Sequence, residues 1–215
     1  MTSSESEQQS TSTQDSGQQL RREATELVKM VFLFLILFLT LRTFVIEGYE
    51  VRGDSMLPNL EDGDRILVFK FTHRLAKWSI FSGMEPITAG DVVVFDSLED
   101  GNKRYIKRVI AKGPQAGAPN TVAAGSEEQA KGPVVEYTRG KVYVENSLIT
   151  EDYILEESYN SFTHDKRVLR EGEFYVLGDH RSVSKDSRSF GPVKSNQIIG
   201  QALLRFWPLS KFGLL

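Results

Sequence analysis

The sequence predicts a mainly β fold, an antiparallel β-sheet sandwich or partly open barrel that follows a single N-terminal transmembrane helix. From Val45 onward, short runs rich in β-branched and aromatic residues alternate with Gly, Pro, Asp and Asn. No long helical pattern separates these runs, which argues against a parallel sheet with crossover helices. Before them lies an apolar segment with the length of a membrane-spanning helix.

The composition indicates a folded domain and excludes several classes of chemistry. The 215 residues are 40% hydrophobic and 26% charged, which is enough to bury a core. A formal net charge of −3 gives no attraction to nucleic acid, so we expect no nucleic-acid partner. The chain has no cysteine, and its three histidines are too far apart in sequence to suggest a metal site. We therefore expect neither a metal nor a cofactor.

The N-terminal region divides into a polar tail and an apolar segment. Residues 1–20 are almost entirely polar and are predicted to be disordered, whereas 21–46 are predicted to form a cytoplasmic flank and a membrane anchor. Leu27 to Ile46 is twenty residues, roughly 30 Å as a helix, with Lys29 and Arg42 near its ends. The alternatives are a cleavable export signal and a buried soluble helix. No Ala-x-Ala-like site follows the apolar core, which favours an uncleaved anchor.

The basic residues around the apolar segment predict its orientation. Arg21, Arg22 and Lys29 precede its core, and Arg42 alone follows it. The positive-inside rule then places the N-terminus in the cytoplasm and residues 47–215 on the extracytoplasmic side of the plasma membrane. We expect a single-pass monomer in contact with the lipid bilayer.

Six runs within 47–215 are predicted to be strands, namely 64–70, 91–96, 104–110, 141–144, 173–177 and 198–206. Residues 112–132 are rich in Ala, Gly and small polar residues and are predicted to form a mobile loop. Two aromatic segments, 75–84 and 206–209, either fill the core or lie at a lipid interface.

Three segments have compositions that are unusual for purely structural elements. They are GDSMLPNL at 53–60, YIKRVI at 105–110, and the polar stretch GDHRSVSKDSRSFG at 178–191. In this order, behind one N-terminal anchor, they resemble the conserved boxes of bacterial type I signal peptidases, also called leader peptidases. The resemblance covers about 45–206. It implies a membrane-bound serine endopeptidase with a largely β fold that cleaves signal peptides from exported preproteins after small residues.

The resemblance assigns Ser55 as the nucleophile and Lys107 as the general base. A serine hydroxyl needs a neighbouring base, and the chain offers few histidines for that role. A lysine with an ordinary pKa of about 10.4 is almost fully charged at neutral pH, so burial must lower the pKa of Lys107. Its neighbours Ile106 and Val109 supply apolar surroundings. His180 remains the alternative base.

The resemblance also implies a set of supporting residues. Ser184 takes the place of a serine that hydrogen-bonds the base, and Asp186 and Arg188 take the places of residues that brace the loop. Strand alternation points Arg108 away from Lys107, where Asp179 is its expected partner. The sequence departs from the usual family pattern at Gly53, Asn59 and His180 and in the segment 111–114. Gly53 has no side-chain hydroxyl, so the second oxyanion donor is left open; the first is the Ser55 N–H.

The substrate pockets are expected to be shallow and apolar, because signal peptides end in small residues. Their predicted lining consists of Val51, Met56, Leu60, Tyr105 and Ile106. An extended substrate would bind by adding a strand to an exposed edge, for which the strand carrying Lys107 is suitable. The rival interpretations are an inactive membrane-anchored scaffold and a self-cleaving repressor-type Ser/Lys peptidase. The latter carries a soluble DNA-binding segment where this chain has its tail and apolar helix.

Overall fold

The computed structural model describes residues 21–40, 46–70, 87–99, 101, 103–114, 132–154 and 164–215. The predicted polar tail, the aromatic segment 75–84 and most of the predicted mobile loop lie outside the described residues. The chain divides into two compact units, Met1–Val45 and Ile46–Leu215, which are described separately.

The first unit contains a helix over residues 21–40 whose side chains are all exposed. Two threonine hydroxyls donate to backbone carbonyls one turn earlier, Thr25 to Arg21 at 2.7 Å and Thr40 to Ile36 at 2.8 Å. Within the described part of the chain, no helix combines the length and the apolar character needed to cross a membrane. The predicted anchor continues into 41–45, which lie outside the described residues.

The described part of the second unit contains twelve strands, and every strand pair among them is antiparallel. The strands are β1 (Ile46–Glu50), β2 (Arg65–Phe69), β3 (Val92–Ser97), β4 (Lys103–Lys112), β5 (Val134–Thr138), β6 (Lys141–Val144), β7 (Ser147–Leu148), β8 (His164–Val168), β9 (Glu173–Leu177), β10 (Val193–Lys194), β11 (Ile198–Trp207) and β12 (Gly213–Leu214). The helical elements among the described residues of this unit are one α-helical turn, Ser187–Phe190, and two 3-10 helices, Ser195–Gln197 and Leu209–Lys211.

The strands form two sheets, which confirms a mainly β, antiparallel architecture. The larger sheet has eight strands in the order β1-β2-β11-β3-β4-β9-β10, with β12 paired to β11. The smaller sheet has the order β7-β6-β5-β8. Each of the six runs predicted from the sequence overlaps one strand of this fold.

The core lies on both faces of the larger sheet because alternate residues of its strands are apolar. In β3, Val92 and Val94 belong to one buried cluster, whereas Val93 and Phe95 belong to a second cluster on the opposite face. A third cluster joins the two sheets and contains Ile110, Ala111, Val135, Tyr137, Val142, Leu169, Tyr175 and Leu177. The smaller sheet is therefore packed against the ends of β4 and β9.

Strand β4 has one edge that is only partly covered. Along the other edge it pairs with β3 from Lys103 to Arg108, whereas its register with β9 begins at Arg108 and ends at Lys112. No described strand covers the β9-side edge of β4 over residues 103–107. Strand β1 pairs with β2 alone and has an open outer edge. The prediction that the Lys107 strand lies at a sheet edge therefore holds only for the first half of β4.

The aromatic segment at the end of β11 lies at the surface. Trp207 is 50% exposed and Leu209 is 72% exposed, so neither fills the core. Phe212 and Leu214, which follow in the chain, are exposed as well.

Candidate active site

Ser55 and Lys107 meet through a direct hydrogen bond. Ser55 lies in the irregular segment between β1 and β2, and Lys107 lies in β4. The Lys107 Nζ is 2.7 Å from the Ser55 Oγ and donates to the carbonyl of Ile106 at 2.8 Å. These two residues, 52 positions apart in sequence, therefore have the contact that proton transfer between an amine and a hydroxyl requires.

Burial controls the charge of Lys107. The residue is 2% exposed, and burial lowers the pKa of its amine from an ordinary value of 10.5 to about 8. The negative charges of Asp186 and Asp179 oppose this effect, and the positive charge of Arg188 adds to it. With this pKa, roughly a tenth of the amine is neutral at pH 7, compared with well under a hundredth for an ordinary lysine.

The neighbouring cation, Arg108, is paired with Asp179. Its Nε and Nη2 donate to the two carboxylate oxygens at 2.9 and 2.7 Å, and Asp179 is completely buried. Asn59 donates to the same carboxylate at 2.8 Å and to the carbonyl of Tyr153 at 2.7 Å. The Tyr153 ring lies 4.4 Å from the Arg108 guanidinium carbon. Sequence reasoning did not identify the contacts of Asn59 and Tyr153, since both span distant parts of the chain.

Asp186 and Arg188 brace the loop that lies beside Ser55. The Asp186 carboxylate accepts from the Gly178 amide at 3.1 Å and from Arg188 Nε and Nη2 at 2.7 and 2.8 Å. The same guanidinium donates to the carbonyl of Arg181 at 2.7 Å. Arg181 is itself buried in an ion pair with Glu151. Loop 178–186 is thus fixed at both ends by charged hydrogen bonds.

Ser184 differs from its expected arrangement. Its Oγ is buried and has no hydrogen-bond partner among the described residues, so it does not bond to Lys107 here. Its side chain lies where a Cβ on Gly178 would be, and such a Cβ would also be 2.5 Å from the carbonyl oxygen of Ser55. Gly178 therefore allows the loop to approach Ser55, and the His180 amide donates to the same carbonyl at 3.1 Å.

The His180 ring contacts a backbone carbonyl and is not placed to act as the base. Its Nδ1 is 3.2 Å from the carbonyl oxygen of Asp54, and the hydrogen bond to the Ser55 hydroxyl comes from Lys107. This geometry favours Lys107 over His180 as the base. The Gly53 amide donates to Asp62 Oδ1 at 2.7 Å and is therefore already engaged.

A cleft of about 210 Å³ opens at Ser55 and Lys107 between the open edges of β1 and β4. Its lining includes three of the five predicted pocket residues, Val51, Tyr105 and Ile106. The prediction was wrong for Met56 and Leu60, which are 0% exposed and pack in the core cluster below Val51. The lining residues that sequence reasoning missed are Tyr49, Glu50, Arg52, Ile66, Val94 and Arg104.

Arg104 connects the two strands on either side of this cleft. Its Nη1 donates to the Tyr49 hydroxyl at 3.1 Å and is 3.4 Å from Glu47 Oε1. Burial and the hydrogen bond to Glu47 raise the pKa of Tyr49 to about 12, so this hydroxyl stays protonated. The cleft therefore has an apolar floor, a Ser–Lys pair at one end and a charged bridge at the other.

Comparison with known proteins identifies the family of the chain. The model of the family "Signal peptidase, peptidase S26" matches residues 24–116 and 130–207. A probable signal peptidase I-1 from Synechocystis is 33% identical over 197 residues, with 88% of this chain and 86% of the relative covered. Signal peptidase IB from Staphylococcus aureus is 31% identical over 195 residues, with 90% and 94% covered.

Among solved structures, signal peptidase I from Enterococcus faecalis is 25% identical with a TM-score of 0.40, covering 54% of this chain and 97% of its own. The two sequence matches span most of the chain and of the relatives, and they define the class as peptidases. The chain belongs to the signal peptidase family, peptidase S26.

Proposed function

We propose that this protein is a membrane-bound serine endopeptidase that removes N-terminal signal peptides from exported preproteins, cleaving after small residues of the Ala-x-Ala type. Ser55 is the nucleophile and Lys107 is the general base. The observation that carries the proposal is the 2.7 Å hydrogen bond between a lysine that is 2% exposed and a serine at the end of an open cleft. Family membership supports the choice of substrate.

The reaction follows from the state of the lysine. The neutral Nζ of Lys107 takes the proton of the Ser55 hydroxyl while Oγ attacks the scissile carbonyl carbon, forming a tetrahedral oxyanion. The backbone amide of Ser55 is the first donor to that oxyanion. The protonated amine then gives its proton to the leaving nitrogen, which releases the mature protein. A water molecule, deprotonated by the same amine, hydrolyses the acyl-serine and regenerates the hydroxyl. The protein needs no cofactor for these steps.

The substrate would bind as an extended strand in the cleft between β1 and β4. Both bordering edges have backbone groups that no described strand pairs, so a guest strand would gain hydrogen bonds on two sides. Val51 and Ile106 would contact alternate substrate side chains. A cleft of about 210 Å³ suits small side chains better than large ones.

The supporting residues act on the lysine and on the loop. Asp179 neutralises Arg108 and keeps a second free cation from the base. Asp186 and Arg188 hold loop 178–186 against Ser55. The buried hydroxyl of Ser184 has no partner among the described residues, and we assign it the role of accepting a hydrogen bond from Lys107 once that amine is protonated during the reaction.

Cleavage of a model preprotein by the full chain tests the activity. Ser55→Ala is expected to lower the rate by about 10³-fold or more, because the Ser55 hydroxyl is the one side-chain group that the Lys107 amine bonds to among the described residues. The matched control is Ser147→Ala, at an exposed serine of the smaller sheet, which should cleave at the wild-type rate. Retained cleavage in Ser55→Ala, with circular dichroism unchanged, would rule out the assigned nucleophile.

We also propose that residues 27–46 anchor the protein in the plasma membrane as a single pass, with the N-terminus in the cytoplasm and 47–215 outside. The exposed apolar side chains of helix 21–40 and the exposed Trp207 and Leu209 support contact with lipid. In a bacterial host, the full chain should resist carbonate extraction. Protease added to spheroplasts should digest 47–215 and spare an N-terminal tag. Release by carbonate, or digestion of the tag first, contradicts the anchor or its orientation.

A further inference from the structure

We infer that Tyr137 of the smaller sheet is a positioning residue for the catalytic lysine, because its ring supports the Arg188–Asp186 pair. That pair braces loop 178–186, which contacts Ser55, the hydrogen-bond partner of Lys107. This inference rests on the proposed function and extends it to a residue outside the three sequence motifs. A residue of the smaller sheet would then help to position a catalytic residue of the larger sheet.

The ring of Tyr137 is held rigidly by the core. It is 0% exposed and lies in β5, which is flanked by β6 and β8 in the smaller sheet. Its register neighbours are Val142 on one side and Asp165 on the other. Its ring belongs to the cluster that joins the two sheets, so it cannot move without disturbing that core.

The guanidinium of Arg188 packs against the Tyr137 ring. Its guanidinium carbon lies 4.8 Å from the centre of the Tyr137 ring, and its side chain is only 7% exposed. A cation over a tyrosine ring is attracted by the negative charge of the ring face, and the attraction grows when water is excluded. The planar guanidinium can stack on the ring and still use its edge to bind Asp186 and the carbonyl of Arg181.

The effect of Tyr137 on Lys107 depends on the charged groups around Lys107 and Arg188. Asp186 and Asp179 raise the pKa of Lys107 and Arg188 lowers it, while Arg108 pairs with Asp179. The Lys107 Nζ also lies 5.4 Å from the Tyr105 ring centre and bonds to the Ser55 hydroxyl. On the Arg188 side, Tyr175 is a further titratable neighbour, and its hydroxyl donates to Asp165, which also pairs with Arg167.

Loss of the ring should therefore change the titration of Lys107 in a defined direction. If Arg188 moves away, its positive charge no longer opposes protonation, and the negative charge of Asp186 is no longer compensated. Both changes favour the charged amine, so the pKa of Lys107 should rise.

The experiment compares the full-length wild type with Tyr137→Phe, which keeps the ring, and Tyr137→Leu, which removes it. The pKa of Lys107 is measured by NMR with lysine labelled at Cε, with the resonance assigned by its absence in Lys107→Met. The pH profile of preprotein cleavage is measured in parallel. We expect Tyr137→Phe to titrate as the wild type and Tyr137→Leu to shift upward by about 0.5 to 1, with the activity profile shifted by the same amount.

A second variant keeps the test decisive if Tyr137→Leu does not fold. Replacing Tyr137 with pentafluorophenylalanine retains the ring shape and reverses the charge of its face. This variant should shift the Lys107 titration in the same direction relative to Tyr137→Phe. Unchanged titration in whichever of the two variants folds would overturn the inference, even if activity falls at every pH. An inactive wild type would defeat the proposed function alone, because the NMR titration does not depend on cleavage.

Discussion

Replacing Lys107 with methionine is expected to abolish preprotein cleavage while leaving the protein folded. The amine is the hydrogen-bond partner of the Ser55 hydroxyl, and loss of a general base lowers rates by about 10² to 10⁴-fold. Methionine has a similar shape and suits a site that is 2% exposed. The measurement is kcat/KM on a model preprotein. The matched control is Lys141→Met, an exposed lysine of the smaller sheet, which should retain activity.

The same variant should be more stable than the wild type at neutral pH. The folded-state pKa of Lys107, about 8, lies below its unfolded value of 10.5, so the unfolded chain binds more protons between these values. The burial penalty is therefore full below about pH 8 and fades as the pH rises toward 10.5. From these pKa values, Lys107→Met should gain about 3 kcal/mol below pH 8. Urea unfolding at pH 7 and pH 10 checks this, and equal stability gains at both values would contradict a buried charge.

The pH dependence of cleavage reports on the same lysine, because only its neutral amine can accept the serine proton. The wild-type kcat/KM should rise with pH through the pKa of Lys107, near 8, and level off above it. A profile that is flat between pH 6 and 9 would show that another group is the base.

Replacing Arg108 with methionine is expected to produce the largest loss of stability. The change leaves the carboxylate of Asp179, which is 0% exposed, with only the Asn59 amide as a described side-chain partner. Breaking a buried ion pair by removing one partner costs about 3 to 5 kcal/mol in the free energy of unfolding. Urea unfolding at pH 7 measures it.

The control for this change is Lys166→Met. It removes the 3.2 Å pair of Lys166 with Glu136 on the smaller sheet, where the lysine side chain is 55% exposed. Exposed pairs contribute less than about 1 kcal/mol. If both variants lose the same amount, the Arg108–Asp179 pair has no special stabilising role.

The six runs predicted from the sequence are rich in apolar residues, but apolar character does not separate them from every strand that was missed, because β5 has the sequence VVEYT. The runs at 141–144 and 173–177 coincide with β6 and β9, because their Val, Tyr, Leu and Phe residues are flanked by turn residues. Strand β8 has the sequence HDKRV and is an edge strand, so its side chains are mostly exposed and polar. Strands β7, β10 and β12 have two residues each, which is too short for any periodicity.

The candidate site was predictable where short motifs carry it and not where the fold assembles it. The motifs around Ser55, Lys107, Asp186 and Arg188 were visible in the sequence, and the family resemblance together with strand alternation predicted the pairing of Arg108 with Asp179. Nearness to Ser55 in sequence was misleading for Met56 and Leu60, since both are 0% exposed and belong to a core cluster. Tyr137 could not be found, because its contact with Arg188 depends on how two sheets pack.

The register of β4 suggests an order in which the two cleavage products dissociate. From Arg108 onward, β9 occupies the position beside β4, so a bound polypeptide has to leave the ladder next to Lys107. With the substrate bound by strand addition as proposed, one fragment would still be paired with 103–107 after the scissile bond breaks. The other fragment would have no such pairing and would diffuse away first. Departure of the two products would then be ordered, with the loosely held fragment making room for the hydrolytic water before the tightly held one dissociates.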